Sequence, residues 1–484
     1  MKSLDMMFTA ALLIGAFVLS SCSNEAPEGP ALGLGGNTIT KYVAIGDSYT
    51  AGYQSNSLYA SAQYYSCARL ISLQLQLAGA AVSSFEQPLY GDPGPADPLT
   101  TKASRYEIIS LVGPVIGPRG LTPGAPQNLG LARPYDNLGI PGAVVFDLLD
   151  TTSFAAKAGP PRNNPYFQLV LRNKALGANV LSQAAALKPD LVTFWLGGND
   201  VLGYAAGGGF SPSSPTSVGV FTALYGQAID ALLAALPNAK IVTADYGDVD
   251  ALPYFTTLGP KISGLLPAGV TLRYQMHGET GLASGSTSLT EAAPPLITLL
   301  GSSYAPLLGQ PTGKWYRDNR YPAIPPGIDT TKPFGLHPQN PWPDALVLDA
   351  SEQAVVTTTV TAYNAAVAAK VGGNSRIALV DVNAFWNNLK DHGYMVGGQK
   401  FTTDYITGGM FSLDGFHPSS RGYALIANQF IKAMNQKWGM GVPYVDPSTI
   451  PPIQAPVSKP GDRGIPQIPY EAFQSFTNLL AADR

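Results

Sequence analysis

Apolar residues along the chain recur at two different spacings, and the two alternate. Residues 42–45, Tyr42-Val43-Ala44-Ile45, form a short and partly β-branched run that stops at Gly46, the pattern of a buried strand entering a turn. Residues 59–77 then carry Leu70, Leu73 and Leu77 at helical spacing and end at Gly79, which is placed to close a helix. The alternation continues as strand 191–196, helix 218–236, strand 240–244, helix 352–371 and strand 376–382. A last helix over 419–438 keeps the same period through Ala424, Leu425, Ala427, Phe430, Ile431 and Met434. Strands alternating with helices predict an α/β fold with a parallel sheet covered on both faces. Two stretches break the order, 84–134 and 253–350, both dense in Pro and Gly. They read as insertions that either wall or lid a site or cover sheet edges.

The ends of the chain differ from its middle. After Lys2 an uncharged run over 6–19 is too short to remain as a spanning helix and matches the centre of a secretory signal, so residues 1–21 are set apart as a signal peptide. The run closes on Leu19-Ser20-Ser21-Cys22, which resembles a bacterial lipobox. That resemblance implies a diacylglycerol on Cys22 and a membrane anchor. Ser23 after it is similar to lipoproteins sorted to an outer membrane, which places the chain in the bacterial cell envelope. Asp5 is out of keeping with the basic start of such signals, and secretion with an incidental cysteine is the alternative. Residues 22–40, without apolar periodicity, are expected to be a flexible tether to a domain over 41–440. The Pro-rich 441–484 is expected to be an extended tail along the surface.

Composition changes the picture in three ways. With 484 residues, 45% of them hydrophobic, the chain buries a core readily, while 52 Gly and 42 Pro against 13% charged residues point to long ordered loops. The balance of 29 Lys+Arg against 32 Asp+Glu, a net charge of -3, offers no basic footprint for nucleic acid. Four His and two Cys, none at the short spacing of a structural zinc site, argue against a metalloprotein, and an acylated Cys22 leaves Cys67 without a disulfide partner. No metal or cofactor and a monomeric state are expected.

In an open parallel sheet, ligands bind beyond the carboxyl ends of the strands, and the residues suited to chemistry collect there. Gly46-Asp47-Ser48-Tyr49 puts a hydroxyl on a strand-to-helix turn. Asn137-Leu138-Gly139-Ile140-Pro141-Gly142 leaves backbone N–H groups accessible, and Gly197-Gly198-Asn199-Asp200 presents a side-chain amide past another strand. Asp414-Gly415-Phe416-His417-Pro418 keeps an acid and an imidazole on one loop ahead of the last helix, with Pro418 suited to its first turn. His277, His337 and His392 lack that setting, and His392 reads as part of an exposed turn. Each motif taken singly is ordinary turn chemistry.

Taken together and in order, the four resemble the blocks of the GDSL or SGNH hydrolase family, named for its Ser, Gly, Asn and His. No candidate Ser sits in a Gly-x-Ser-x-Gly elbow, which separates the chain from the α/β-hydrolases. The resemblance covers 41–438 and is strong at the blocks. It implies a three-layer α/β/α sandwich with a central, mainly parallel flavodoxin-like sheet. It also implies Ser48 as nucleophile and oxyanion donor, His417 as general base and Asp414 as the acid that orients it. Gly142, five residues after Asn137, and the Asn199 amide are the other implied oxyanion donors, with Gly139 as fallback and Asp47 in support. Tyr49 stands where the family usually has Leu, a change in pocket shape. The implied reaction is hydrolysis of a carboxylic ester through an acyl-Ser48 intermediate. Lipid or fatty-acyl esters are the expected substrates of an envelope-anchored enzyme with apolar insertions. Polysaccharide O-acetyl esters are the alternative, for which Trp315, Tyr316 and Trp342 offer sugar stacking if they are not simply packing. A non-catalytic envelope binding lipoprotein on the same scaffold is the alternative of a different class.

Overall fold

The computed structural model describes residues 31–94, 105–110, 115–118, 122–160, 162–209, 214–276, 284–453 and 466–468. The signal segment, Cys22 and His277 lie outside the described residues. Five strands form the central sheet: β1 (Tyr42–Gly46), β2 (Asn137–Gly139), β3 (Leu191–Trp195), β4 (Lys240–Ala244) and β5 (Ile377–Val380). Their order is β5-β4-β3-β1-β2 and every pairing is parallel. Gly46 stands opposite Gly139 on one side and Trp195 on the other, so β2, β1 and β3 end level and their outgoing loops share one end.

Helices that flank this sheet or open from its strand ends include α1 (Ser48–Ala51), α2 (Cys67–Leu77), α3 (Asn199–Ala206), α4 (Val218–Ala235), α5 (Ala350–Val371), α6 (Val382–His392) and α7 (Ser420–Trp438). Strand geometry sends successive side chains to opposite faces. Phe194 of β3 accordingly meets Tyr225 of α4, while its neighbour Trp195 meets Phe430 of α7. Helices α2 and α7 pack together on one face, α4 and α5 on the other, giving the α/β/α sandwich.

Several expectations need correction. The helix expected over 59–77 is two, Ala60–Gln63 and α2, because the Ser66 hydroxyl accepts the Arg69 N–H at 3.2 Å and starts a new N-terminus. The strand expected over 376–382 stops at Val380, and Asp381 caps α6 through the Ala384 N–H at 2.8 Å. His392 is exposed, but it is the last residue of α6 and not part of a turn. Residues 31–40 are not a loose tether. Gly33 pairs with Gly441, the Asp190 carboxylate accepts both the Thr40 N–H and hydroxyl at 2.7 Å, and Ile39 is buried. Where described, the tail runs along the domain but is not extended throughout: the Val445 N–H and carbonyl are held by the Asn428 side chain at 2.7 and 2.9 Å, and Asp446 then caps a 3-10 turn over Pro447–Thr449.

The second insertion is a folded layer, not a loop. It contains the ladders Leu272–Gln275 with Ser284–Thr287 and Leu296–Ile297 with Val347–Leu348. Trp315, Tyr316 and Trp342 are buried within it, so they pack and are not presented to a sugar.

Candidate active site

All four motifs arrive at the carboxyl end of the sheet. The backbone leaves β1 at Gly46, where a Cβ would lie 2.0 Å from the Thr50 hydroxyl, and turns at once into α1. Asp47 caps that helix by accepting the Tyr49 N–H at 2.9 Å, which puts Ser48 at its first position. Ser48 Oγ lies 2.9 Å from His417 Nε2, and His417 Nδ1 lies 3.0 Å from Asp414 Oδ2. All three side chains are buried.

The Asp414 carboxylate is saturated. Its Oδ1 accepts the N–H groups of Phe416 and His417 at 2.9 and 2.8 Å and the Ser412 hydroxyl at 3.1 Å, and its Oδ2 also accepts the Asn56 N–H at 2.9 Å. Burial alone would raise its pKa; the imidazole, its hydrogen bond and the backbone N–H groups outweigh burial and hold it below the ordinary carboxylate value. Ser55 and Asn56 reach this position through left-handed backbone at φ of 51° and 59°. That loop is braced in turn by the Tyr106 N–H on the Ser55 carbonyl at 2.7 Å, from the first insertion.

Asp47 is also at the site, and burial pushes its carboxyl up to about 7, with the Tyr49 N–H and the nearby His417 pulling in the other direction. Asn199 opens α3 and is buried, its amide donating to the Ala143 carbonyl at 2.9 Å. Gly142 is the third residue of a turn closed by the Ala143 N–H on the Ile140 carbonyl at 3.0 Å. Pro141 second, Gly142 third and a φ of 76° make it a type II turn. Gly139 is not a substitute donor, because its own N–H is taken by Asn137 Oδ1 at 2.9 Å. Its smallness has another use: a Cβ there would stand 2.4 Å from the Ala51 nitrogen, so only glycine lets β2 pass this close to α1.

Beside Ser48, Asn199 and His417 a cleft of about 660 Å³, its open mouth included, runs toward the ends of β4 and β5. Apart from Asp47 and those three side chains its walls are largely apolar, among them Val201, Leu202, Leu252, Val360, Val382 and Trp386. Leu252 precedes the second insertion, whose Tyr254 donates its N–H to the Gly415 carbonyl at 3.1 Å and stacks on Phe416 at 4.0 Å. Both insertions therefore support the site, the first through Tyr106 and the second through Tyr254.

Sequence reasoning missed several groups here. Asp200 reads as turn punctuation, yet it is buried and accepts the Val145 N–H at 3.0 Å, which ties the third motif to the second. Its adjacency to Asn199 is the only signal the sequence offers. Asn164 and Arg162, 20 or more residues beyond Gly142, hold the Pro141 and Gly142 carbonyls at 2.8 and 3.0 Å, and no local pattern marks them.

The arrangement can pass a hydroxyl proton to an imidazole fixed by a carboxylate, next to backbone and amide donors. Comparison with known proteins bears on the reaction class. The profile of the GDSL-like Lipase/Acylhydrolase family matches residues 42–284, half of the chain. Among solved structures, a Clostridium thermocellum family 3 carbohydrate esterase is similar at a TM-score of 0.31 and 13% identity, over 83% of this chain and 98% of that one. No curated protein matches the chain. Since the family profile runs from β1 through the second and third motifs and into the second insertion, the protein belongs to the GDSL-like lipase/acylhydrolase family, the SGNH hydrolases, and acts on ester bonds.

Proposed function

We propose that the protein hydrolyses carboxylic esters bearing an apolar acyl group, by way of an acyl-Ser48 intermediate. The observation that carries this reading is the buried line from Ser48 Oγ through His417 to Asp414, at 2.9 and 3.0 Å, set at the wall of an apolar cleft. With Nδ1 facing a carboxylate, the ring carries its proton there and leaves Nε2 to accept from Ser48. As Ser48 Oγ attacks the ester carbonyl, Nε2 takes the hydroxyl proton, and the imidazolium is stabilised by Asp414. The oxyanion is received by the N–H groups of Ser48 and Gly142 and by the Asn199 amide. Collapse of the tetrahedral intermediate breaks the bond to the alcohol, which leaves with the proton from Nε2. Water then repeats the sequence on the acyl-enzyme and releases the acid. The acyl chain occupies the cleft, where Val201, Leu202, Val360 and Val382 replace its contact with water. A lipidated Cys22, supported by the uncharged run over 6–19 and the Leu19-Ser20-Ser21-Cys22 that closes it, holds the enzyme in the bacterial envelope at the outer membrane.

The test is the rate on p-nitrophenyl esters from acetyl to palmitoyl, for the parent and for Ser48→Ala. Activity should rise beyond acetyl and vanish in the variant, with a fluorophosphonate labelling Ser48 in the parent alone. Activity confined to acetyl would favour polysaccharide deacetylation. Neither turnover nor labelling would leave a binding lipoprotein.

A further inference from the structure

The loop from Pro141 to Val145 has its backbone groups committed one by one, and a full accounting leaves one donor over. The Pro141 carbonyl accepts from Asn164 Nδ2 at 2.8 Å, the Gly142 carbonyl from Arg162 Nη2 at 3.0 Å, and the Ala143 carbonyl from Asn199 Nδ2 at 2.9 Å. The Ala143 N–H goes to the Ile140 carbonyl at 3.0 Å, the Val144 N–H to Asp147 Oδ2 at 2.9 Å, and the Val145 N–H to Asp200 Oδ2 at 3.0 Å. Among the described residues no acceptor takes the Gly142 N–H.

That N–H shares its peptide with the Pro141 carbonyl. In a trans peptide the two point in opposite directions, so a donor fixed on the carbonyl fixes the direction of the N–H as well. A hydrogen bond at the carbonyl also polarises the unit and strengthens the N–H as a donor. Asn164 is suited to this. It is fully buried, and its own Oδ1 is occupied by the Tyr166 N–H at 3.1 Å, which orients the amide so that Nδ2 faces Pro141. The neighbouring peptide is held at the Gly142 carbonyl by Arg162, whose guanidinium is paired with buried Asp147.

We propose that Asn164 is a positioning residue that aims and polarises the Gly142 N–H as an oxyanion donor through the Pro141 carbonyl, with the Arg162–Asp147 pair clamping the next peptide. This rests on the acyl-Ser48 reading above and extends it to groups that touch no substrate.

The test compares the parent with Asn164→Ala and Arg162→Met on one p-nitrophenyl ester, together with the affinity of an alkyl boronic acid, whose adduct with Ser48 carries the tetrahedral charge. Removing a direct oxyanion donor costs about 10²–10³ in rate, so loosening one should cost roughly 10–100-fold in kcat with KM little changed. Boronate affinity should fall by a similar factor, and thermal melting shows whether each variant is folded. Should Asn164→Ala fail to fold, Arg162→Met, at a partly exposed side chain, carries the test. A folded variant that keeps at least half the parental kcat, or loses kcat without losing boronate affinity, overturns the proposal. A parent that neither turns over nor takes a fluorophosphonate at Ser48 overturns the underlying reading instead.

Discussion

Tyr49 shows how one residue can serve both the pocket and the chemistry. Its hydroxyl donates to the Phe416 carbonyl at 2.7 Å, and Phe416 immediately precedes His417. Its ring meets the edge of His417 at 5.6 Å and of Trp195 at 5.3 Å, while Tyr53 lies on the imidazole at 4.7 Å. A leucine at this position would fill space but could not hold that carbonyl. Tyr49→Phe keeps the ring contacts and removes one hydrogen bond, leaving an acceptor short of its donor at a cost of about 1–3 kcal/mol. Since the freed segment carries the base, the loss should appear in kcat, by roughly 5–150-fold, more than in KM. Steady-state kinetics on a single ester decides it: a rise in KM at unchanged kcat would make Tyr49 a pocket residue only.

At the scale of elements, the junction of the second insertion with α5 carries a pH dependence of its own. Asp349 caps α5 by accepting the Ser351 and Glu352 N–H groups at 2.8 and 3.0 Å, and the Glu352 carboxyl in turn accepts the Asp349 N–H at 2.6 Å. Glu352 is fully buried, and a Cβ on Gly209 would stand 2.2 Å from it. Burial pushes its carboxyl from 4.5 up to about 9, against the Asp349 N–H, with Asp344 and Asp349 adding like charge. Between those values the folded chain holds a proton that the unfolded chain has released. The contribution is therefore complete below about 4.5 and is lost as pH rises through about 9. Glu352→Gln keeps an acceptor for the Asp349 N–H and has nothing to ionise. Its melting temperature should fall less than the parent's between about pH 5 and about pH 9, and parallel curves would refute the assignment.

The elements legible in the sequence obey the same physics. β1, β3 and β4 are buried throughout or nearly so, and their apolar runs locate them to within a residue. α5 and α7 span many turns, so their ends shift by two residues at most from the expected ones. α6 is set by Asp381, which caps it just past a strand, and in helices as short as α3 and α6 spacing carries little signal. Ser48, Asn199, Asp414 and His417 were legible because each sits in a compact block. The Asn56 N–H on Asp414, 358 positions away in sequence, exists only through the path of the folded chain.

For the whole molecule, the position of the N-terminus bears on where substrate comes from. Gly33 pairs with Gly441 just beyond α7, and the Asn37 amide donates to the Trp438 carbonyl at 3.3 Å. Trp438 in turn donates to the Ser375 carbonyl ahead of β5 at 3.0 Å, and the ammonium of Lys240, the first residue of β4, lies over its ring at 5.7 Å. The chain therefore enters at the amino ends of the strands, and Ser48 stands at their carboxyl ends. From Cys22 to residue 31 a fully extended chain spans about 30 Å. A domain of this size has a radius of gyration of about 22 Å and is roughly 55–60 Å across. On the proposed lipidation of Cys22, the anchor joins the domain at the end of the strands opposite the cleft, and esters are expected to arrive from the aqueous side or from a facing surface. Reconstituting the lipidated chain in vesicles tests this against Cys22→Ser chain added in solution at equal concentration. Anchoring should leave hydrolysis of a water-soluble fluorogenic ester unchanged and should not accelerate hydrolysis of a fluorogenic lipid ester in the host bilayer. A tenfold or greater gain on the host lipid would mean that the cleft does reach its own membrane, and that the anchor serves to concentrate the enzyme on its substrate.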